Sequence, residues 1–164
     1  METQGINLFI VDDNKLLVAN LKNYLTNKFG ISLQISTFND GESCLDKVNT
    51  ETHIVILDYK MEGKNGLEIL RLIKAKNPKI EVIMLSGNED IALAVETFRA
   101  GAKDYVIKGY GSLNKIGKLV RVIINEPLRI LVKEFGVSKY MAAFLLTFIG
   151  MGLVVAFALN MMKR

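Results

Sequence analysis

Side chains capable of chemistry follow short apolar stretches at several points along the chain. Asp12 and Asp13 come directly after the first stretch, and Asp58 follows the third. The fourth stretch ends at Ser86 and the fifth at Lys108. Because the carboxyl ends of parallel strands meet at one edge of an α/β sheet, we expect these five side chains to converge there.

The chemistry of such a group follows from its charges. Three crowded carboxylates repel one another, which raises the pKa of one of them unless a cation neutralises the group. Mg²⁺ is a hard ion that prefers oxygen ligands, and it suits this need. A carboxylate beside Mg²⁺ and an ammonium can attack phosphorus, while both cations offset charge on the transferring oxygens. The set therefore predicts covalent phosphoryl transfer to an aspartate, with the hydroxyl bonding the product.

The elements that must position these residues alternate along the chain. Five apolar stretches have the length and composition of buried strands, and they occupy residues 6–11, 33–38, 53–57, 80–85 and 104–107. Amphipathic helical patterns follow them at residues 16–29, 43–49, 67–76, 90–99 and 113–124. Near-continuous apolar strands between such helices are typical of a parallel sheet covered on both faces. We therefore predict an α/β fold, a doubly wound five-stranded parallel sheet with five helices.

Composition narrows the classes of protein further. The length of 164 residues allows one ordinary domain with a short extension. One cysteine, Cys44, and one histidine, His53, exclude an internal disulfide framework and cysteine- or histidine-rich metal sites. The net charge of +4 is uneven, at −2 for residues 1–108 and +6 for residues 109–164. Residues 1–10 lack a positively charged region, so we expect no secretory signal.

The basic C-terminal third contains an apolar stretch. Residues 141–159 carry no charge, and as a helix they would extend ~28 Å, close to the ~30 Å hydrocarbon core of a bilayer. We therefore predict an α/β domain over residues 1–125, a basic amphipathic linker over 126–139 and a transmembrane helix over 140–160. The alternative is a helix buried in a protein core or an oligomer interface. The basic flank predicts a single-pass inner-membrane protein with its N-terminal domain in the cytoplasm, and it comprises Lys115, Lys118, Arg121, Arg129, Lys133 and Lys139.

A set of landmarks in chain order links residues 5–125 to a known family. These landmarks are Asp12-Asp13, Asp58-Tyr-Lys-Met61 followed by Gly66, Ser86-Gly87, Ala100-Gly101-Ala102-Lys-Asp-Tyr105 and Lys108. Each alone is weak, but together they fall at the predicted strand ends. The sequence resembles the receiver domain of two-component response regulators, in particular chemotaxis regulators with a flavodoxin-like fold.

The resemblance implies a role for each matching residue. Asp58 would be the phospho-acceptor, and Lys108 would pair with it and then with the phosphoryl group. The Mg²⁺ ligands would be Asp13, Asp12 through water, Asp58 and the backbone carbonyl of Lys60. Two further residues would form the switch: Ser86 would sense the phosphoryl group and Tyr105 would turn inward on activation.

Three positions depart from the family pattern. Gly109 follows the lysine where the family has a proline after a cis peptide bond, and a cis bond is not expected without proline. Glu62 stands where a proline is common, and Lys60 places a long cation two residues after Asp58. None of these changes removes a catalytic side chain.

The resemblance implies a response regulator that receives phosphate from a histidine kinase or phosphotransfer protein, and the predicted transmembrane helix makes it a membrane-anchored, stand-alone one. No helix-turn-helix or enzymatic pattern follows residue 125, so we expect signalling through protein contacts, without nucleic-acid binding or enzymatic activity beyond its own phosphorylation and dephosphorylation. One alternative is an adaptor subunit of a membrane complex with an inactive receiver fold, and another is a phosphate sink. Small residues spaced by four, Ala143 with Thr147 and Gly152 with Ala156, would also allow a homodimer.

Overall fold

A five-stranded parallel sheet forms the centre of the fold in a computed structural model, which describes residues 5–61, 63, 65–87, 89–135 and 139–162. The strands are β1 (Ile6–Val11), β2 (Leu33–Phe38), β3 (Thr52–Asp58), β4 (Glu81–Ser86) and β5 (Asp104–Ile107). Their order is β2-β1-β3-β4-β5, with every neighbouring pair parallel. The strand order reverses between β1 and β3, as in doubly wound sheets. The predicted fold class is confirmed for this part of the chain.

Helices follow the strands in alternation. They are α1 (Lys15–Phe29), α2 (Gly41–Lys47), α3 (Gly66–Lys76), α4 (Ile91–Arg99), α5 (Ser112–Phe135) and α6 (Lys139–Met162), with a 3₁₀ turn at Gly30–Ser32. Four of them begin after a side chain that accepts hydrogen bonds from the first turn, namely Asn14, Asp40, Asn65 and Asp90. Such caps contribute about 1 kcal/mol each and fix where the helices start.

Alternate residues of the strands face opposite sides of the sheet, and both sides of the central strands β1, β3 and β4 are buried. Phe9 and Val11 of β1 belong to the apolar cluster with residues of α2, α3 and α4. Leu8 and Ile10, which are also fully buried, point to the other side. The helices α1 and α5 bury apolar residues of their own, namely Val18, Leu21, Leu25, Ile116 and Val120. Burial on both faces explains the near-continuous apolar composition of the strands.

The helices α1 and α5 meet at a glycine. A Cβ on Gly117 would lie 2.8 Å from the hydroxyl oxygen of Tyr24 and 3.0 Å from Nζ of Lys28. That ammonium donates a 2.6 Å hydrogen bond to the same hydroxyl. The absence of a side chain at Gly117 therefore allows the Tyr24–Lys28 pair to lie against α5.

The helix α5 is longer than the sequence predicts. The sequence predicts a helix over residues 113–124 that ends before Pro127, but the structure has one helix of 24 residues, Ser112–Phe135. Proline removes one backbone hydrogen bond of a helix, and here the remaining bonds continue the helix past it. The chain divides into two compact units, Met1–Arg121 and Val122–Arg164, and the division falls within α5. The predicted domain limits at 125 and 139 stay predictions, and residues 136–138 lie outside the described residues.

The helix α6 covers the stretch for which the sequence predicts a transmembrane segment. Within the described ranges, no helix combines the length and the apolarity needed to cross a membrane. The prediction of a transmembrane helix over residues 140–160 is therefore not supported. All described side chains between residues 143 and 161 are exposed.

Candidate functional site

Three carboxylates meet at the carboxyl edge of the sheet. Asp12 follows the last residue of β1, Asp58 ends β3, and both are buried. Asp13 is exposed beside them. One oxygen from each carboxylate lies within 4.8 Å of the others. The structure thus brings together the three acidic residues that the sequence singled out.

Lys108 joins two of these carboxylates. Its Nζ lies 2.8 Å from Oδ2 of Asp12 and 2.8 Å from Oδ2 of Asp58. Its backbone N–H donates to the carbonyl oxygen of Ser86 at 2.7 Å, which ties the end of β5 to the end of β4. Burial lowers the pKa of Lys108, but the hydrogen bonds and the negative charges of the two carboxylates together outweigh burial and raise the pKa overall. The lysine is therefore held as a cation between the two aspartates.

Asp58 retains unfavourable electrostatics despite this partner. Its pKa is raised, chiefly because burial disfavours the charged form, while the hydrogen bond from Lys108 partly offsets that effect. The negative charge of Asp12 raises the pKa further, and a hydrogen bond from the backbone N–H of Lys60 lowers it. Lys108 thus pairs with two of the three clustered carboxylates, which leaves excess negative charge at the edge of the sheet.

The donor set fits a divalent cation. Oδ1 of Asp58 is buried and has no hydrogen-bond partner among the described residues. Carboxylate oxygens are the ligands that Mg²⁺ prefers, and a cation would satisfy this atom and offset the excess charge. Asp12, Asp13 and Asp58 are the residues that could hold it. The backbone carbonyl of Lys60 stays a predicted ligand, and the Lys60 side chain is exposed.

The predicted switch residues are both buried. Ser86 ends β4 and is 1 % exposed. Tyr105 lies in β5, is 8 % exposed and belongs to the cluster that packs against α2, α3 and α4. The ring of Tyr105 is therefore buried in this structure. Its inward movement on activation stays a prediction.

The loop after Lys108 contains no cis peptide bond, and none occurs elsewhere among the described residues. Gly109 has φ 151° and Gly111 has φ 85°, values that favour glycine. Ser112 donates two hydrogen bonds to the carbonyl oxygen of Gly109, from Oγ at 2.8 Å and from its backbone N–H at 3.2 Å. This turn stands where the family has its proline, and Lys108 still reaches both aspartates. The Glu62 departure lies outside the described residues.

Sequence reasoning missed one residue that supports the site, Asn14, and the structural reason for a second, Gly66. The backbone N–H of Asn14 donates to Oδ1 of Asp12 at 2.9 Å, while its side chain caps α1. An asparagine directly before a helical pattern was the available signal. Gly66 packs so closely that a Cβ there would lie 2.7 Å from Cα of Tyr59 and would clash with the carbonyl oxygen of Asp58. The sequence pattern marks Gly66 as a landmark but does not contain this reason.

Known proteins match the described fold over most of its length. A family model for the response regulator receiver domain matches residues 8–121. The chain is 36% identical over 103 residues to the DNA-binding transcriptional regulator NtrC of Klebsiella pneumoniae, covering 62% of this chain and 21% of that protein. It spans between 21% and 60% of the length of NtrC and three Bacillus subtilis regulators.

Two solved structures are similar in both fold and sequence. The BeF3-activated receiver domain of DrrB, a Thermotoga maritima protein, has a TM-score of 0.63 and 29% identity, covering 73% of this chain and 97% of that one. CheY in a CheX–CheY–BeF3–Mg²⁺ complex from Borrelia burgdorferi has a TM-score of 0.64 and 26% identity, covering 71% and 88%. With the family match over residues 8–121, these findings identify the chain as a member of the receiver domain family of two-component response regulators, which are phospho-acceptor signalling domains.

Proposed function

We propose that this chain is a response regulator that accepts a phosphoryl group on Asp58. The observation that carries the proposal is the state of that carboxylate. One of its oxygens pairs with Lys108 at 2.8 Å, and the other is buried without a hydrogen-bond partner in the described part of the chain. A partly unsatisfied carboxylate beside a cation is suited to nucleophilic attack.

Phosphoryl transfer to Asp58 exchanges one bond to phosphorus for another. A carboxylate oxygen of Asp58 attacks phosphorus and forms a new P–O bond, while the P–N bond of a donor phosphohistidine, or the P–O bond of a small phosphodonor, breaks. The leaving group keeps the electron pair: the imidazole of a phosphohistidine takes a proton from solvent, whereas the acetate of acetyl phosphate leaves as the anion. The reaction replaces the carboxylate charge of Asp58 beside Lys108 by the charge of the phosphoryl group. The ion pair of Lys108 is therefore maintained through the reaction.

Mg²⁺ bound by Asp12, Asp13 and Asp58 would neutralise charge on the transferring oxygens. The chain's own residues then detect the product. Ser86 ends the strand next to Asp58, so its hydroxyl would bond the phosphoryl group, and Tyr105 would follow that change. Signalling would act by a shift between two conformations of this region.

The experiment is Mg²⁺-dependent phosphorylation of the full chain with acetyl phosphate, followed by intact mass. We expect an acid-stable, base-labile adduct that requires Mg²⁺ and is lost in Asp58→Asn. Asp46→Asn is a matched control because Asp46 is an exposed acid on α2. An unmodified wild-type chain with a native circular dichroism spectrum would refute the proposal.

The second candidate is an adaptor with an inactive receiver fold, which the loss of the family proline at Gly109 favours. Against it stand the two 2.8 Å contacts of Lys108, which the glycine loop does not disturb. A phosphate sink would differ by rapid turnover at Asp58 with no partner that prefers the phosphorylated form. Phosphoryl lifetime and pull-down with a BeF3-loaded chain separate these functions.

Other parts of the prediction concern partners and location. A histidine kinase or phosphotransfer protein as donor follows from the family. A stand-alone role, contacts through α4, β5 and α5, a homodimer and a cytoplasmic domain at the inner membrane stay predictions. Apolar side chains of α6, such as Phe144, Phe148 and Met151, are exposed. Their exposure supports a location in which a membrane or another protein chain covers them. Cell fractionation tests the location, and crosslinking tests the homodimer.

A further inference from the structure

The helix α1 and the first half of α5, on one face of the sheet, carry basic residues without acidic ones. Residues 14–39, which include α1, contain no Asp or Glu, and neither do residues 105–125, which include the first half of α5. The helices on the opposite face carry both signs, for example Glu42 and Lys47 on α2. The net charge is therefore positive along α1 and the first half of α5, whereas the other helices of the sheet domain carry both signs.

Three of these cations lie together around Gly117. The ammonium of Lys28 rests against α5 at this glycine, as its 3.0 Å distance from a Cβ placed there shows. Lys118 is the next residue, and Arg121 lies one turn further along the same side of the helix as Gly117. We call these three residues the basic cluster.

The basic cluster has no counter-charge in the described part of the chain. Lys118 and Arg121 are exposed and pair with no described carboxylate. The nearby cation Lys115 differs, because it is paired with Asp104 at 3.1 Å. Lys28 bonds only the neutral hydroxyl of Tyr24 among the described residues. The cluster is thus available for an anionic partner.

We propose that the basic cluster binds the anionic surface of a lipid bilayer. The chain continues from the cluster into the second half of α5, where Arg129 and Lys133 alternate with Glu126 and Glu134, and then into α6 with its exposed apolar side chains. A bilayer interface offers both phosphate groups and an apolar phase, whereas nucleic acid offers phosphate without the apolar phase. The proposal requires no membrane-spanning helix and is independent of chemistry at Asp58.

Co-sedimentation of the full chain with vesicles tests the proposal. Vesicles of phosphatidylglycerol with phosphatidylcholine are compared with vesicles of phosphatidylcholine alone, so that any apolar contribution from α6 is common to both. The measured quantity is the ratio of the two affinities. Each cation near an anionic surface strengthens binding about fivefold, so removal of three should lower the ratio on the order of 100-fold.

The variant is K28Q/K118Q/R121Q, in which glutamine keeps a donor for the Tyr24 hydroxyl. The matched control is K47Q/K79Q/R99Q, which removes three exposed cations elsewhere on the fold and changes the net charge equally. We expect the control to keep the wild-type ratio within about threefold. If the triple variant unfolds, the double variant K118Q/R121Q is tested instead. Its affinity ratio should fall about 25-fold.

Three results would overturn the proposal. The wild-type chain could lack a preference for anionic vesicles, or the two triple variants could have equal ratios. The basic cluster variant could also lose affinity for duplex DNA or an acidic polypeptide while retaining its vesicle ratio, which would assign the surface to that partner instead.

Discussion

Substitution of Gly66 by alanine should damage the site without touching any charged group. Gly66 begins α3, and its N–H donates to the carbonyl oxygen of Tyr59 at 2.8 Å, directly after the phospho-acceptor candidate. A Cβ at this position would lie 2.7 Å from Cα of Tyr59, whereas ordinary contact begins at 3.4 Å. The neighbouring atoms are backbone, so the methyl group requires the Asp58–Tyr59 segment to move by about 0.7 Å or more.

The magnitude of the effect follows from that displacement. Overpacking of a filled site costs about 1–3 kcal/mol of unfolding free energy. A displacement near 1 Å at a reacting group can lower a rate on the order of 100-fold. We therefore expect Gly66→Ala to lose about 2 kcal/mol of stability and to slow phosphorylation by acetyl phosphate about 30-fold or more.

Gly87 provides the matched control because it follows Ser86 at the same edge of the sheet. A Cβ on Gly87 would meet nothing within 4 Å, and its φ is not in the positive range, so Gly87→Ala should change neither quantity by much. Urea unfolding measures the stability, and intact mass against time measures the rate. A Gly66→Ala chain with wild-type stability and rate, or equal damage in both variants, would refute this account of the glycine.

Three further predictions concern buried ionisable groups. The pKa of Asp58 in the folded chain is raised above its ordinary value of 3.8, so the folded state keeps the proton at a higher pH than the unfolded state does. The free energy of unfolding therefore falls as the pH rises from 3.8 through the raised pKa. Without Mg²⁺, Asp58→Asn should therefore be more stable than wild type at pH 7, with the difference vanishing below pH 3.8 in urea titrations; a constant difference would contradict this. Lys108→Met leaves two buried carboxylates without their cation. Because solvent partly screens the lysine side chain, which is 24 % exposed, we expect the free energy of unfolding to fall by about 2 kcal/mol at pH 7. The loss should be smaller at pH 4, where Asp58 is more often protonated. Burial raises the pKa of Cys44 to about 12, so a disulfide reagent at pH 8 should label the folded chain at least about 1000-fold more slowly than the urea-unfolded chain; rapid labelling would show an open core.

The sequence predicts the sheet and the convergence of the site because both depend on strong local patterns. Apolar runs that end in Asp12 and Asp58 are easy to identify, and parallel topology then requires the two residues to meet. Close packing leaves a weaker signal. Nothing in the spacing of Gly66 reveals that it touches the backbone of Asp58, because that contact depends on the exact approach of α3 to the end of β3.

The C-terminal region is the part that the sequence predicts poorly. The residues around Pro127 have the appearance of a helix boundary, yet the structure contains a continuous α5. The apolar stretch that follows indicated a transmembrane helix, and the structure supports no such span among the described residues. Local composition predicts that both segments are helical. It does not predict where α5 ends or what surrounds α6.

The crowding of Asp12, Asp13 and Asp58 around a single ammonium has a consequence for the survival of the chain in a cell. A cation that binds only the folded site stabilises it by mass action, and the gain increases with the free cation concentration. The fraction of chains that is transiently open, and thus accessible to proteases, should then fall as Mg²⁺ rises. The abundance of this protein would in that way be linked to the ionic composition of its compartment, before any phosphoryl group reaches it.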